Sequence, residues 1–96
     1  MRLRKTVAWM AQLDDRILEY IAEESWSSPA IIARSGEFSA SEARLAERCR
    51  MLVYDGLLAP IHAEMYELTT WGELYLRGEI DALHQPVPTV DRLKHR

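Results

Sequence analysis

A mainly α-helical domain carrying one small β-hairpin is the fold class this sequence predicts. Three observations predict it. Apolar residues recur at helical spacing in Leu13–Ile17–Leu18–Ile21, in Leu45–Cys49–Leu52–Val53 and in Trp71–Leu74–Tyr75–Leu83. Serine, threonine, proline and glycine stand where helix starts and stops require them. Two short runs, L-L-A-P-I-H and M-Y-E-L-T, flank Ala63-Glu64 and read as a hairpin.

The first helix is expected over 12–24, with Asp14 and Asp15 at its positive end. Ser28-Pro29 pairs an N-cap serine with proline at the first helical position and opens a short helix over 29–35. Gly36 stops it, and Ile32 and Ala33 are its expected buried contacts. Ser39 and Glu42 form an S-x-x-E capping box, which predicts a helix over 39–55 closed by a left-handed Gly56. Two helices joined by a few residues that include glycine make a helix-turn-helix. A hairpin over 57–69 follows, with Pro60 suited to an edge, where no ladder donor is needed. Thr70 and Glu73 form a second capping box and predict a last helix over 70–84, weakened at Gly78. The chain thus divides into a basic and apolar extension (1–11), the folded domain (12–84) and a basic tail (85–96).

A chain of 96 residues holds one domain and one modest core. Hydrophobic residues make up 48% and charged residues 28%, which excludes a disordered chain. No apolar run approaches a membrane span and no signal-peptide stretch follows the basic start, so a cytoplasmic protein is expected. The net charge is −3, but it is unevenly placed. Arg2, Arg4 and Lys5 put +3 at the start, and Arg92, Lys94 and Arg96 put +3 at the end. Residues 6–91 hold six arginines against fifteen acids, hence −9. An acidic body with basic ends suits a protein of a high-salt cytoplasm that keeps some DNA-facing charge.

Nothing in the chain asks for catalysis. Cys49 lies on an apolar stripe and reads as a packed thiol, and as the single cysteine it excludes an internal disulfide. His62, His84 and His95 lack ligand spacing, so no metal and no cofactor is expected. The adjacent pairs Asp14-Asp15 and Glu23-Glu24 point to different helix faces and make no acid–base pair. The protein reads as non-enzymatic.

The helix over 39–55 carries the functional expectation. Its free face presents Ala40, Ala43, Arg44 and Glu47, with Ser41 and Arg48 along one flank and Arg50 along the other. Small residues at Ser39, Ser41 and Ala43 would let such a helix approach the DNA major groove, and arginine forks onto guanine there. Arg44 and Arg48 are the expected base contacts, and Arg50 is the expected phosphate contact.

Several stretches together resemble winged helix-turn-helix repressors of the MarR-like kind, and more narrowly the haloarchaeal family named after the phage phi-H repressor. They are Trp9-Met10, D-D-R-I-L-E from Asp14, Ser28-Pro29 with Ile32-Ala33, Arg48-Cys49 and Leu52. G-L-L from Gly56, Tyr66-Glu67-Leu68-Thr69, Gly72 and Y-L-R-G-E-I-D-A from Tyr75 complete the set. The family's β-branched core position is Leu45 here. The resemblance implies a DNA-binding transcriptional regulator, in the repressor role, that uses double-stranded DNA as its partner. The hairpin would be the wing. It carries no arginine or lysine, so only His62 is available there for DNA. Large apolar groups near both ends, Trp9, Met10, Trp71 and Tyr75, suggest a homodimer interface. The alternative is a winged-helix module that binds protein and not DNA, which the acidic body and the bare wing favour.

Overall fold

The computed structural model describes residues 12–81 and residue 84. Four helices and two strands follow in the order α1 (Gln12–Glu24), α2 (Pro29–Arg34), α3 (Glu42–Tyr54), β1 (Leu58–Pro60), β2 (Tyr66–Leu68) and α4 (Thr70–Leu76). The core is built from the predicted stripes. Ile17, Leu18 and Ile21 of α1 meet Ile32 of α2 and Leu45, Cys49 and Leu52 of α3. Leu57, Leu58, Tyr75 and Ile80 close it from the hairpin side.

Helix α2 starts as its sequence requires: the Ser28 hydroxyl accepts from the Ile31 amide at 3.2 Å, with Pro29 in the first turn. Helix α3 starts later than its capping box implied. Ser41, not Ser39, is the N-cap, and its hydroxyl accepts from the Arg44 amide at 3.2 Å. Phe38 and Ala40 pack against the core, which holds the approach to α3 out of helical conformation. Glu42 is therefore the first helical residue and not the third. Likewise Thr69, not Thr70, caps α4, accepting from the Gly72 amide at 3.0 Å. Thr69 also donates its hydroxyl hydrogen to the Gly56 carbonyl at 2.6 Å, tying the start of α4 to the end of α3.

Helices α3 and α4 end in the same device. Gly56 has φ +85°, with the Leu57 amide donating to the Leu52 carbonyl and the Gly56 amide to the Val53 carbonyl. Gly78 has φ +75°, with Glu79 donating to Leu74 and Gly78 to Tyr75. These are Schellman closures, in which a left-handed glycine satisfies the last carbonyls. Gly78 thus ends α4 near residue 76 and does not merely weaken a helix running to 84. Leu83, expected on the last stripe, lies outside the described residues.

Strands β1 and β2 pair antiparallel, Leu58 with Leu68 and Pro60 with Tyr66. On the far side of β2, Ser27 exchanges two backbone hydrogen bonds with Tyr66, at 3.0 and 2.7 Å. The linker between α1 and α2 therefore acts as a third, one-residue strand that anchors the hairpin to the helices. At the tip, the Met65 amide donates to the His62 carbonyl across Ala63 and Glu64, whose φ values are +54° and +64°. Two left-handed central residues are what a type I′ turn demands, and asparagine followed by glycine supplies them with least strain. Left-handed geometry costs an ordinary residue roughly 1–2 kcal/mol. The double substitution Ala63→Asn with Glu64→Gly is expected to stabilise the fold by about 1 kcal/mol. That amounts to a thermal midpoint about 4–8 °C higher by circular dichroism.

Candidate nucleic-acid interface

The turn between α2 and α3 is clamped from both sides. Ser35 donates its hydroxyl hydrogen to the Ile32 carbonyl at 2.7 Å and accepts from the Glu37 amide at 3.2 Å. Gly36 takes φ +80°, which reverses the chain. From α1, the Arg16 guanidinium lies 4.4 Å above the Phe38 ring and donates to the Glu37 carbonyl. Tyr20 meets the same ring edge-on at 5.8 Å. Cation–π and aromatic contacts of this kind fix the direction in which the chain enters α3.

Helix α3 buries Leu45, Cys49 and Leu52 and leaves the opposite face open. Ala43, Glu47, Arg50 and Tyr54 follow one another along that face at helical spacing, and all are exposed. Arg44 and Met51 flank them. Arg44 Nη1 and Glu47 Oε1 are 3.4 Å apart, both side chains being more than half exposed, so this pair contributes little to stability. Ser39 and Ser41 lie exposed just before the helix. The burial of Cys49 raises its thiol pKa to about 12, through desolvation first and the Asp14 charge second, so it is an inert packed group.

Arg48 departs from the expectation of a second base-contacting arginine. Its side chain is only 11% exposed and turns inward to Asp14, which is wholly buried. Nε donates to Oδ1 and Nη2 to Oδ2, each at 2.8 Å, a bidentate fork. Hydrogen bonding to Asp14 raises the guanidinium pKa, outweighing the cost of burial. Arg48 is therefore a strut between α3 and α1, and its fork is spent inside the domain. Its neighbour Asp15 accepts from the Tyr75 hydroxyl at 2.6 Å, so two consecutive acids of α1 hold α3 and α4 respectively.

That bond also corrects the placing of Tyr75 at a subunit interface. Its side chain is fully buried in the core. Trp71 remains 45% exposed and stacks flat on His84, with ring centroids 5.0 Å apart. His84 Nε2 faces Asp55 Oδ2 at 4.0 Å, and neither atom has a hydrogen-bond partner among the described residues. Desolvation raises the Asp55 pKa, with the His84 charge opposing. Trp9, Met10 and His95 lie outside the described residues.

The hairpin exposes His62 and Glu64 at its tip and Glu67 along β2, so its charged surface is acidic. Among the described residues, no three His, Cys, Asp or Glu side chains gather as a metal site needs, and no helix is long and apolar enough to cross a membrane.

Helix, helix-turn-helix, hairpin and closing helix, with an open face on the second helix of the pair, define a winged helix-turn-helix domain. The chain belongs to the winged helix-turn-helix phage repressor family, whose sequence profile matches residues 2–85. Its structure is similar to the crystal structure of the PhiH1 repressor-like protein from Haloarcula marismortui, with a TM-score of 0.84 and 35% identity. The similarity covers 92% of this chain and 100% of that one. No curated protein matches the chain.

Proposed function

We propose that this protein is a DNA-binding transcriptional repressor that lays α3 in the major groove. The observation that carries this reading is the open face of α3. Its N-terminal half presents Ala43, Arg44 and Glu47 to solvent, with Ser39 and Ser41 exposed just before it, and its other face is locked to α1 through Arg48. The N-terminal part of a recognition helix is the part that reaches base edges. Arg44 is the base-reading arginine, Arg50, further along the open face, contacts phosphate, and His62 is the wing's reach toward the backbone. No enzymatic step belongs to this reading. It places the protein with DNA in the cytoplasm, and the acidic body suits a high-salt archaeal host such as that of the structural relative. Kinship with MarR-like repressors is part of the same proposal and rests on the shared order of elements.

Arg44→Ala is expected to weaken binding to the preferred site by about 1–3 kcal/mol and to relax preference at one base position. Arg50→Ala should weaken all sequences alike. Fluorescence anisotropy with matched and scrambled duplexes distinguishes the two.

The protein acts as a homodimer in this reading, through Trp71 and the terminal segments that carry Trp9 and Met10. Trp71, a tryptophan left 45% exposed, supports it. Sedimentation at tens of micromolar in high salt should give twice the monomer mass, and half-sites should then lie about 34 Å apart. A monomer would remove this part. One observation favours a protein partner in place of DNA: the wing offers Glu64 and Glu67 where phosphate contacts need cations.

A further inference from the structure

Glu47 occupies the middle of the open face of α3, where a carboxylate is at first sight misplaced. It caps nothing and anchors no turn, and its side chain pairs only with that of Arg44 among the described residues, in an exposed pair at 3.4 Å. A carboxylate in a groove walled by phosphates is repelled by every DNA sequence. It gains only where a base edge offers a donor, and in the major groove the donors are the cytosine N4 and adenine N6 amino groups, of which cytosine's suits a carboxylate because adenine's stands beside the N7 acceptor. Arg44 seeks the complementary group, the O6 and N7 acceptors of guanine. The two residues are three positions apart, about 4.5 Å along the helix axis. That is close to the roughly 3.4 Å rise between base pairs, so they meet the same or neighbouring pairs.

We propose that Arg44 and Glu47 read one G·C-containing step as a unit, with Arg44 on guanine and Glu47 on the cytosine amino group, so that Glu47 determines specificity and lowers affinity for all other DNA. This rests on α3 being the reader. In the free protein the two groups stand 3.4 Å apart on the reading face and offset each other's charge. The face as a whole is balanced: Glu42 and Glu47 oppose Arg44 and Arg50. A neutral reading face above an acidic wing releases few counterions, so discrimination must come from base edges and not from phosphate attraction.

The test is selection of binding sites from a random-sequence duplex pool with the parent protein, followed by anisotropy titration of the parent, Glu47→Ala and Arg44→Ala. Single-pair variants of the enriched site and a scrambled duplex serve as targets, and circular dichroism confirms folding. The enriched site should contain a guanine and a cytosine on the same or adjacent pairs. Glu47→Ala should lose roughly 5- to 150-fold discrimination at the cytosine, while its affinity for scrambled duplex holds or rises. Arg44→Ala should lose discrimination at the guanine. If Glu47→Ala keeps the parent's preference at every position while Arg44→Ala does not, the role of Glu47 is overturned and α3 remains the reader. If both keep it, or if the pool yields no enriched site, α3 as reader falls as well.

Discussion

Arg48→Ala is expected to destabilise the domain by about 3–5 kcal/mol, the cost of removing one partner from a buried ion pair. Asp14 is wholly buried, and two of its hydrogen bonds come from the Arg48 fork. Without the fork, a fully buried carboxylate loses the guanidinium that matches its charge. Small domains have only about 5–15 kcal/mol of stability, so the loss removes a large share. Arg48→Lys should recover part of it, because an ammonium cannot reproduce a bidentate fork. The double replacement Asp14→Leu with Arg48→Met should recover most of it, since apolar pairs of similar volume often replace buried ion pairs without loss. Urea denaturation of the four proteins checks the series. A parent-like midpoint for Arg48→Ala would contradict the strut. Any DNA-binding defect of that variant is therefore to be read as a folding defect until the variant is shown to be folded.

Gly72→Ala is the second large effect. A Cβ at Gly72 would stand 2.3 Å from the Leu57 carbonyl oxygen and 3.0 Å from Leu68 Cδ2. The first of these is backbone and cannot swing aside. The same carbonyl accepts from the Thr69 amide at 3.2 Å, so it sits at the junction of α3, β1 and the α4 cap. Alanine improves intrinsic helix propensity by about 1 kcal/mol. Overpacking costs about 1–3 kcal/mol and more where the backbone must move, so the steric term wins. The expected outcome is a net loss of stability in urea with the hairpin displaced from α4. An unchanged or raised midpoint would contradict the close approach.

Local signals carried most of the fold. Ser28-Pro29 and Gly56 each announce a helix end by their own chemistry, and both act as that chemistry demands. The apolar stripes of α1 and α3 are buried as their spacing implies. The departures come from tertiary contacts that no short window contains. Phe38 and Ala40, pinned to the core, override the Ser39 capping box. Thr69 takes the cap of α4 because the Gly56 carbonyl is within reach of its hydroxyl. Ser27 joins the hairpin across a gap in sequence of nearly forty residues. The Asp14–Arg48 strut joins residues 34 positions apart, whereas spacing alone points Asp14 to the helix dipole and Arg48 to DNA. A signal did exist: Asp14 stands three and four residues before Ile17 and Leu18, on the buried stripe itself, where an acid needs a partner. The apolar ring of Tyr75 suggests an interface, whereas its hydroxyl finds Asp15 inside the fold. In the candidate site, the open face of α3 and Arg44 were legible, since both follow from helical phase alone.

The central claim, that the open face of α3 reads DNA through Arg44, is tested most directly by one anisotropy titration. The parent and folded Arg44→Ala are compared on duplex DNA from upstream of the protein's own gene, in low salt and in molar KCl. The account predicts that the parent prefers this duplex over a scrambled one in both salts, and that Arg44→Ala loses roughly 5- to 150-fold of that preference. Equal binding of parent and Arg44→Ala to the upstream duplex would contradict it and give the lead to a protein partner.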